Sequence, residues 1–251
     1  MLLANGAQVD ALKRGNWNSL MVSVCKVDLQ LTALLLECGA DIRLCNKDGW
    51  NAVALATRTG DEQLVNLLER HCTAKKLYSP WHVRTKNGRT LLHIAVMNGH
   101  HHLASRLLDS SFFAGPLDVR STDVCGVTPF MDAARIDNLE LCQLLKRSLD
   151  CSSSFHVNQV DNSGRSALHM AAQTNAISVV KYLVSELQAD IDLEDAWHQT
   201  PLFLAVREGH QSATELLLQL GARRTSDGHQ RSLLDIAQQY GHHHLVPYLS
   251  S

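Results

Sequence analysis

Aromatic side chains are scarce. Phe, Trp and Tyr make up 5% of the 251 residues, although 45% of the chain is hydrophobic. A core with so few rings has to be built from Ala and Leu, which suits helices packed at close range. A charge imbalance is missing as well. Lys and Arg number 23 against 25 Asp and Glu, for a formal net charge of −2 and a pI near 6.7. Nothing in that balance attracts a polyanion, so a nucleic-acid partner is disfavoured. No apolar run is long enough to span a membrane, and no secretory leader can be read from the short apolar start. There is no Cys-x2-Cys spacing. The odd set Cys25, Cys38, Cys45, Cys72, Cys125, Cys142 and Cys151 reads as reduced thiols of a cytoplasmic or nuclear protein, core or surface groups rather than nucleophiles. Also lacking are a nucleophile elbow, a Gly-rich phosphate loop, a Ser/His/Asp order and paired carboxylates. No catalytic residue, bound metal or cofactor is expected.

What is present is repetition. In Gln199–Arg223, Thr200 suits a helix N-cap and Pro201 the first helical position. Leu202, Ala205 and Val206 form one apolar stripe at helical spacing, and Gly209 can end that helix in the left-handed conformation. Ala213, Leu216, Leu217 and Leu220 make a second stripe, closed by Gly221. Two short antiparallel helices cannot bury such stripes alone, so each pair needs a neighbour of its own kind. Six other stretches echo this one, with caps at Asn18, Asn51, Thr90, Thr128, Ser166 and Ser232. Consecutive caps along the chain are 33, 39, 38, 38, 34 and 32 residues apart. The dipeptides Asp48-Gly49, Asn87-Gly88, Ser163-Gly164 and Asp227-Gly228 are turn signals placed before the repeats.

A period near 33 with Thr-Pro-Leu-His-x-Ala at the first helix resembles the ankyrin repeat. The residues that carry the resemblance are Thr90–Ala95 (TLLHIA), Ser166–Ala171 (SALHMA) and Thr200–Ala205 (TPLFLA). Gly-His follows at Gly99, Gly209 and Gly241, and Gly-Ala closes repeats at Gly6, Gly39 and Gly221. The implied fold is an all-α solenoid of about seven helix–turn–helix repeats with β-hairpin-like fingers. It comprises a half repeat over 1–15, then repeats at about 16–47, 48–84, 87–122, 125–160, 163–195, 197–227 and 229–251. Insertions fall at 73–84, around Gly115-Pro116 and at the serines 152–154. The opening MLLANGAQVD reads as the end of a second helix, which predicts further repeats upstream. Pro247 fits a last helix only if that helix starts at His243 or His244.

Two histidine runs, His100–His102 and His242–His244, invite a metal reading. Each begins with the histidine that ankyrin repeats place after Gly, so no metal is expected. His93 and His169 occupy the Leu-His step and are read as hydrogen-bonding groups between repeats. Binding is expected where equivalent positions of a solenoid align. The residues just before the caps are Trp17, Trp50, Arg89, Val127, Arg165, Gln199 and Arg231. Those seven places after them are Cys25, Arg58, Met97, Arg135, Gln173, Arg207 and Gln239. Trp and Arg dominate interface hot spots. Trp17, Trp50, Arg58, Arg89, Met97, Arg135, Arg165, Arg207 and Arg231 therefore form the expected protein-binding set on a concave face. Trp197 and His198 extend it, and the expected partner carries acidic or carbonyl-rich groups. The chain itself is expected to be a monomer.

Several segments are similar to one member of the ankyrin family, among them Gly6–Trp17, Asn46–Asn51, Cys125–Ala133, Tyr182–Asp192 and Ala205–His210. That resemblance implies a partner, alanyl-tRNA synthetase, and a role in limiting serine mistranslation by taking misactivated serine onto lysine side chains. Lys47 lies in a matching segment and is the implied acceptor. A second acceptor would fall at Arg14, which is no nucleophile, with Lys13 beside it. A third would fall at His82, with Lys86 the nearest lysine.

Overall fold

A computed structural model describes residues 8–77, 79–109, 117–150 and 156–250. The opening 1–7 with Gly6, the Gly115-Pro116 loop, Cys151 and the serines 152–154 lie outside the described residues. The chain forms two compact units, Met1–Val124 and Cys125–Ser251. In the first unit, α1 (Ser19–Cys25) pairs with α2 (Leu29–Glu37), α3 (Ala52–Thr59) with α4 (Glu62–Ala74), and α5 (Leu91–Met97) with α6 (His101–Leu108). The first helices stack in the order α1, α3, α5.

The second unit repeats the plan. Here α7 (Pro129–Arg135) pairs with α8 (Leu139–Asp150), and α9 (Ala167–Gln173) with α10 (Ile177–Lys181). Next, α11 (Pro201–Glu208) pairs with α12 (Gln211–Gln219), and α13 (Leu233–Gln239) with α14 (Val246–Leu249). The first helices stack in the order α7, α9, α11, α13. After α10 the chain makes one wide turn, Tyr182–Glu186, in which the Leu187 N–H reaches back to the Tyr182 carbonyl. Pro247 sits in the first turn of α14, after a 3₁₀ turn at His243–Leu245, where its missing N–H leaves no intrahelical bond unmade.

Helices of seven or eight residues are too short to persist alone. Here caps and packing hold them. The side chains of Asn18, Asn51, Thr128 and Thr200 accept from the backbone N–H three residues on, at 2.9, 2.8, 3.2 and 3.3 Å. A cap of this kind contributes about 1 kcal/mol. Five residues after each cap stand Ser23, Ala56, Ala95, Ala133, Ala171, Ala205 and Ala237, all with 0% exposure. Small side chains at that register let neighbouring first helices approach closely. This is why a chain so poor in rings can still bury a core.

The fingers are short hairpins. Among the described residues the only strand pairings are single bridges, Lys13 with Trp17 and Val160 with Ser166. Six fingers close on a backbone bond of one form, such as Asn46 N–H to the Trp50 carbonyl (2.9 Å) or Asp161 N–H to the Arg165 carbonyl (2.9 Å). The all-α stack of helix pairs with hairpin-like fingers is thus the architecture observed.

The structure adds two details. Asp227-Gly228 does lie at a finger turn, but two residues ahead of the other three dipeptides' register, because the left-handed residue of that finger is Gln230 (φ 61°). The 73–84 insertion contributes to the core. Within it Trp81 is 1% exposed, and the Pro80 carbonyl accepts from the Asn51 side chain at 2.8 Å. The stretch packs its one indole into the first unit's core.

Candidate protein-binding surfaces

The finger and the end of the first helix face each other in every pair for which a contact across them is seen. In the first unit the Arg58 guanidinium lies 5.6 Å from the Trp50 ring centre, and Arg89 reaches the Met97 sulfur. In the second unit Arg207 donates to the Gln199 side chain at 3.1 Å and Arg231 to Gln239 at 3.4 Å. The two rows read from the sequence therefore meet as partners eight residues apart. Most are less exposed than solvated finger positions would be. Trp17, Trp50, Arg89, Met97, Arg135, Arg165, Arg207 and Arg231 are half-buried and Gln199 is buried, whereas Arg58 and Gln239 are exposed and Trp197 is the exposed indole at 50%.

A register missed in the sequence explains this ordering. Five residues before the caps stand Asn46, Thr85, Asp123, Asp161, Asp195 and Asp227. Their side chains organise the fingers. Asn46 accepts from the Asp48 and Trp50 N–H groups, Asp195 from Trp197 and Gln199, and Asp227 from His229 and Arg231, all at 2.9 to 3.0 Å. The acids also hold the finger arginines: Arg89 on Asp123 (3.4 Å), Arg165 on Asp195 (3.2 Å) and Arg231 on Asp227 (2.6 Å). Burial pushes the Asp227 carboxyl up, but Arg231 and two backbone N–H groups more than offset it and hold it below the usual range. Arg165 is also stacked over Trp197 at 5.3 Å, and Arg135 is fixed to the fully buried Asp132 at 2.6 Å. The visible clue was an Asn or Asp, a known turn-former, at that distance before five of the seven caps, with Lys13 and Thr85 as the exceptions.

Cys25 lies behind the Trp50–Arg58 pair, with an Arg58 nitrogen 3.8 Å from its sulfur. Burial raises that thiol's pKa, and Arg58 opposes the rise without cancelling it. Burial pushes Cys142 up to about 12. Both read as thiols rather than thiolates, which suits packing over reactivity.

The histidines act as clasps between neighbouring pairs. His100 Nε2 donates to the Arg58 carbonyl at 3.0 Å, His210 to Gln173 at 3.0 Å, His242 to Arg207 at 3.0 Å and His244 to Gly209 at 3.2 Å. Each clasp satisfies a carbonyl at the C-terminal end of the preceding first helix, where helical partners run out. Gly60 leaves the space, since a Cβ there would stand 2.3 Å from the His100 ring. His169 donates to the Gln199 carbonyl at 3.1 Å while its Nδ1 accepts from the Ser166 N–H at 3.2 Å. Among the described residues no group of three or more His, Cys, Asp or Glu could hold a metal.

Burial depresses the His169 pKa below its ordinary 6.5, with the Gln199 carbonyl opposing. The unfolded chain then binds the proton more readily than the folded one. Stability is complete above about pH 6.5 and is lost as pH falls toward the folded value. Denaturant titrations at pH 7.5 and 5.5 should show that loss, and it should shrink in His169→Gln. Equal pH dependence in the two proteins would refute the assignment.

Models of ankyrin repeats in three copies match residues 20–114, 69–153, 111–195 and 184–251. The chain belongs to the ankyrin repeat family. Rabankyrin-5 of Mus musculus is 32% identical over 181 residues and Rabankyrin-5 of Homo sapiens 33% over the same length. Each match takes in 70% of this chain and 14% of the relative, so the chain corresponds to a small part of those proteins. Ankyrin repeats are protein-interaction modules, which fits the rows above. Among the described residues no helix is long and apolar enough to cross a membrane. Lys13 and Lys47 are exposed at the fingers.

Proposed function

We propose that this ankyrin repeat chain is a non-enzymatic protein-binding scaffold of the cytoplasm or nucleus. Its contact surface in each unit is the paired row of finger and helix-end side chains. The observation that carries this reading is the pre-ordering of Trp and Arg. Trp50 is held by Arg58, Arg89 by Asp123 and Arg165 by Asp195, so little side-chain entropy remains to be lost on binding. A partner offering carboxylates or carbonyls can share the guanidinium donors that these pairs leave over.

The named partner is alanyl-tRNA synthetase, and it rests on sequence resemblance to ankyrin repeat domain-containing protein 16. The test is a binding titration of the purified synthetase with the chain and with the Trp50→Ala, Arg89→Ala double variant. Two hot-spot truncations of about 2 kcal/mol each predict affinity lowered by roughly a thousandfold. Wild-type binding that the double variant leaves unchanged would remove this surface. No binding of the wild type would remove this partner.

A second reading is that Lys47, and beside it Lys13, accepts misactivated serine. It is supported by the position of Lys47 within the resembling segment and by its exposure. The unprotonated amine would attack the carbonyl carbon of a seryl-adenylate, an amide would form, and AMP would leave. Intact-mass analysis after incubation with synthetase, ATP and serine should show added seryl residues that diminish in Lys47→Arg and disappear in the Lys13→Arg, Lys47→Arg double variant. An unchanged mass would reject the acceptor role and leave the scaffold.

A further inference from the structure

Four residues before each cap the chain stands at the tip of a finger. Along the first unit that register reads Arg14, Lys47 and Lys86, then Val124, all exposed. Along the second it reads Asn162, Ala196 and Gly228, without a charge. Three successive cations thus stand in one register of a chain with 23 Lys and Arg among 251 residues. The tips are also stitched together. The Lys47 N–H donates to the Gly15 carbonyl at 2.9 Å and the Lys86 N–H to the Asp48 carbonyl at 2.8 Å. The cations therefore succeed one another along one edge, and exposed Lys13 adds a fourth.

Three other arginines of these helix pairs, Arg43, Arg89 and Arg106, pair with Asp41, Asp123 and Glu69. Among the described residues no ion pair engages Lys13, Arg14, Lys47 or Lys86. The fingers 13–17, 46–50 and 85–89 contain one acid, Asp48, exposed between the second and third cations of the row.

We propose that this edge of the first unit is a docking ladder for an extended acidic segment of a partner protein. Carboxylates at intervals along such a segment can each meet one cation, while a peptide N–H has a matching acceptor in Asp48. A polynucleotide suits the edge less well. It presents a phosphate every few ångströms, and its backbone has no amide to set against Asp48. Single exposed pairs contribute little, so the ladder works by several cations together and is sensitive to salt. This surface is distinct from the Trp and Arg rows and does not depend on them or on acceptor chemistry at Lys47.

The test uses the full chain and fluorescence anisotropy of a labelled alternating Gly-Glu peptide at low salt. An alternating Gly-Gln peptide and an oligouridylate of equal charge serve as comparisons. The Glu peptide should bind, weaken in high salt and lose about tenfold or more in Lys47→Glu, Lys86→Glu. Lys181→Glu, in α10 of the second unit, should leave binding unchanged. Thermal melting by circular dichroism checks that each variant is folded. Absence of Glu-peptide binding at low salt, or binding indifferent to the Lys47 and Lys86 changes, would overturn the proposal. Tighter, ladder-dependent binding of the oligouridylate would replace it with a nucleic-acid site.

Discussion

Asp195→Ala is expected to destabilise the second unit by about 3 kcal/mol, the scale for stripping one partner from a buried ion pair. The carboxylate is fully buried, holds Arg165 at 3.2 Å, and accepts from the Trp197 and Gln199 N–H groups. Alanine would leave one guanidinium and two amide donors without an acceptor, and unmade buried bonds cost more than made ones contribute. Asp195→Asn separates the two effects, because its amide oxygen can still accept from the finger. It should lose roughly half as much, mostly through Arg165. Equilibrium denaturation of the three proteins measures this. A loss below about 1 kcal/mol in the alanine variant, the net worth of one ordinary hydrogen bond, would mean that the acid does not organise the finger. Release of Arg165 should also loosen its stacking on Trp197, which steady-state indole fluorescence can report.

That acid marks where the sequence was legible and where it was not. The caps could be read forward from Thr200 because Ser, Thr and Asn at a helix start have a local cause. So could the placing of Trp50 and Arg58 on one side, since a position before the cap and one seven after it both lie at the finger side of a short helix, although their stacking was seen only in the structure. Asp195 could not be ranked in the same way. Its register, five residues before the cap, sets it apart from exposed Asp48, but its importance comes from burial and from an arginine thirty residues away, which no local pattern shows. The clasping histidines were legible only in part: a histidine after Gly was visible, but its bond to the preceding pair's carbonyl was not. Trp81 was hidden altogether, because the insertion around it looks like a polar loop until its indole is seen in the core.

Gly164→Ala is the second large effect expected, about 2 to 3 kcal/mol from left-handed strain plus a lost hydrogen bond. Gly164 has φ 77°, and a Cβ there would stand 2.9 Å from the Ala196 nitrogen and 3.2 Å from two Asp195 backbone atoms. Those atoms belong to the next finger and cannot rotate aside. They would have to move away, stretching the 2.9 Å bond from Ala196 N–H to the Ser163 carbonyl. Gly221→Ala is the control for strain alone: its φ is 95°, but no atom lies within 4 Å of the added carbon. The next finger shows how the chain solves the same contact with a side chain in place. His198 takes the left-handed position there at φ 56°, and Gly228 of the finger beyond is the residue without a Cβ. One added at Gly228 would lie 3.2 Å from His198 Cδ2 and from the Trp197 carbonyl oxygen. Gly164→Ala should therefore melt well below Gly221→Ala. Equal melting temperatures would show that the fingers are not in tight backbone contact and would remove the steric part of the account.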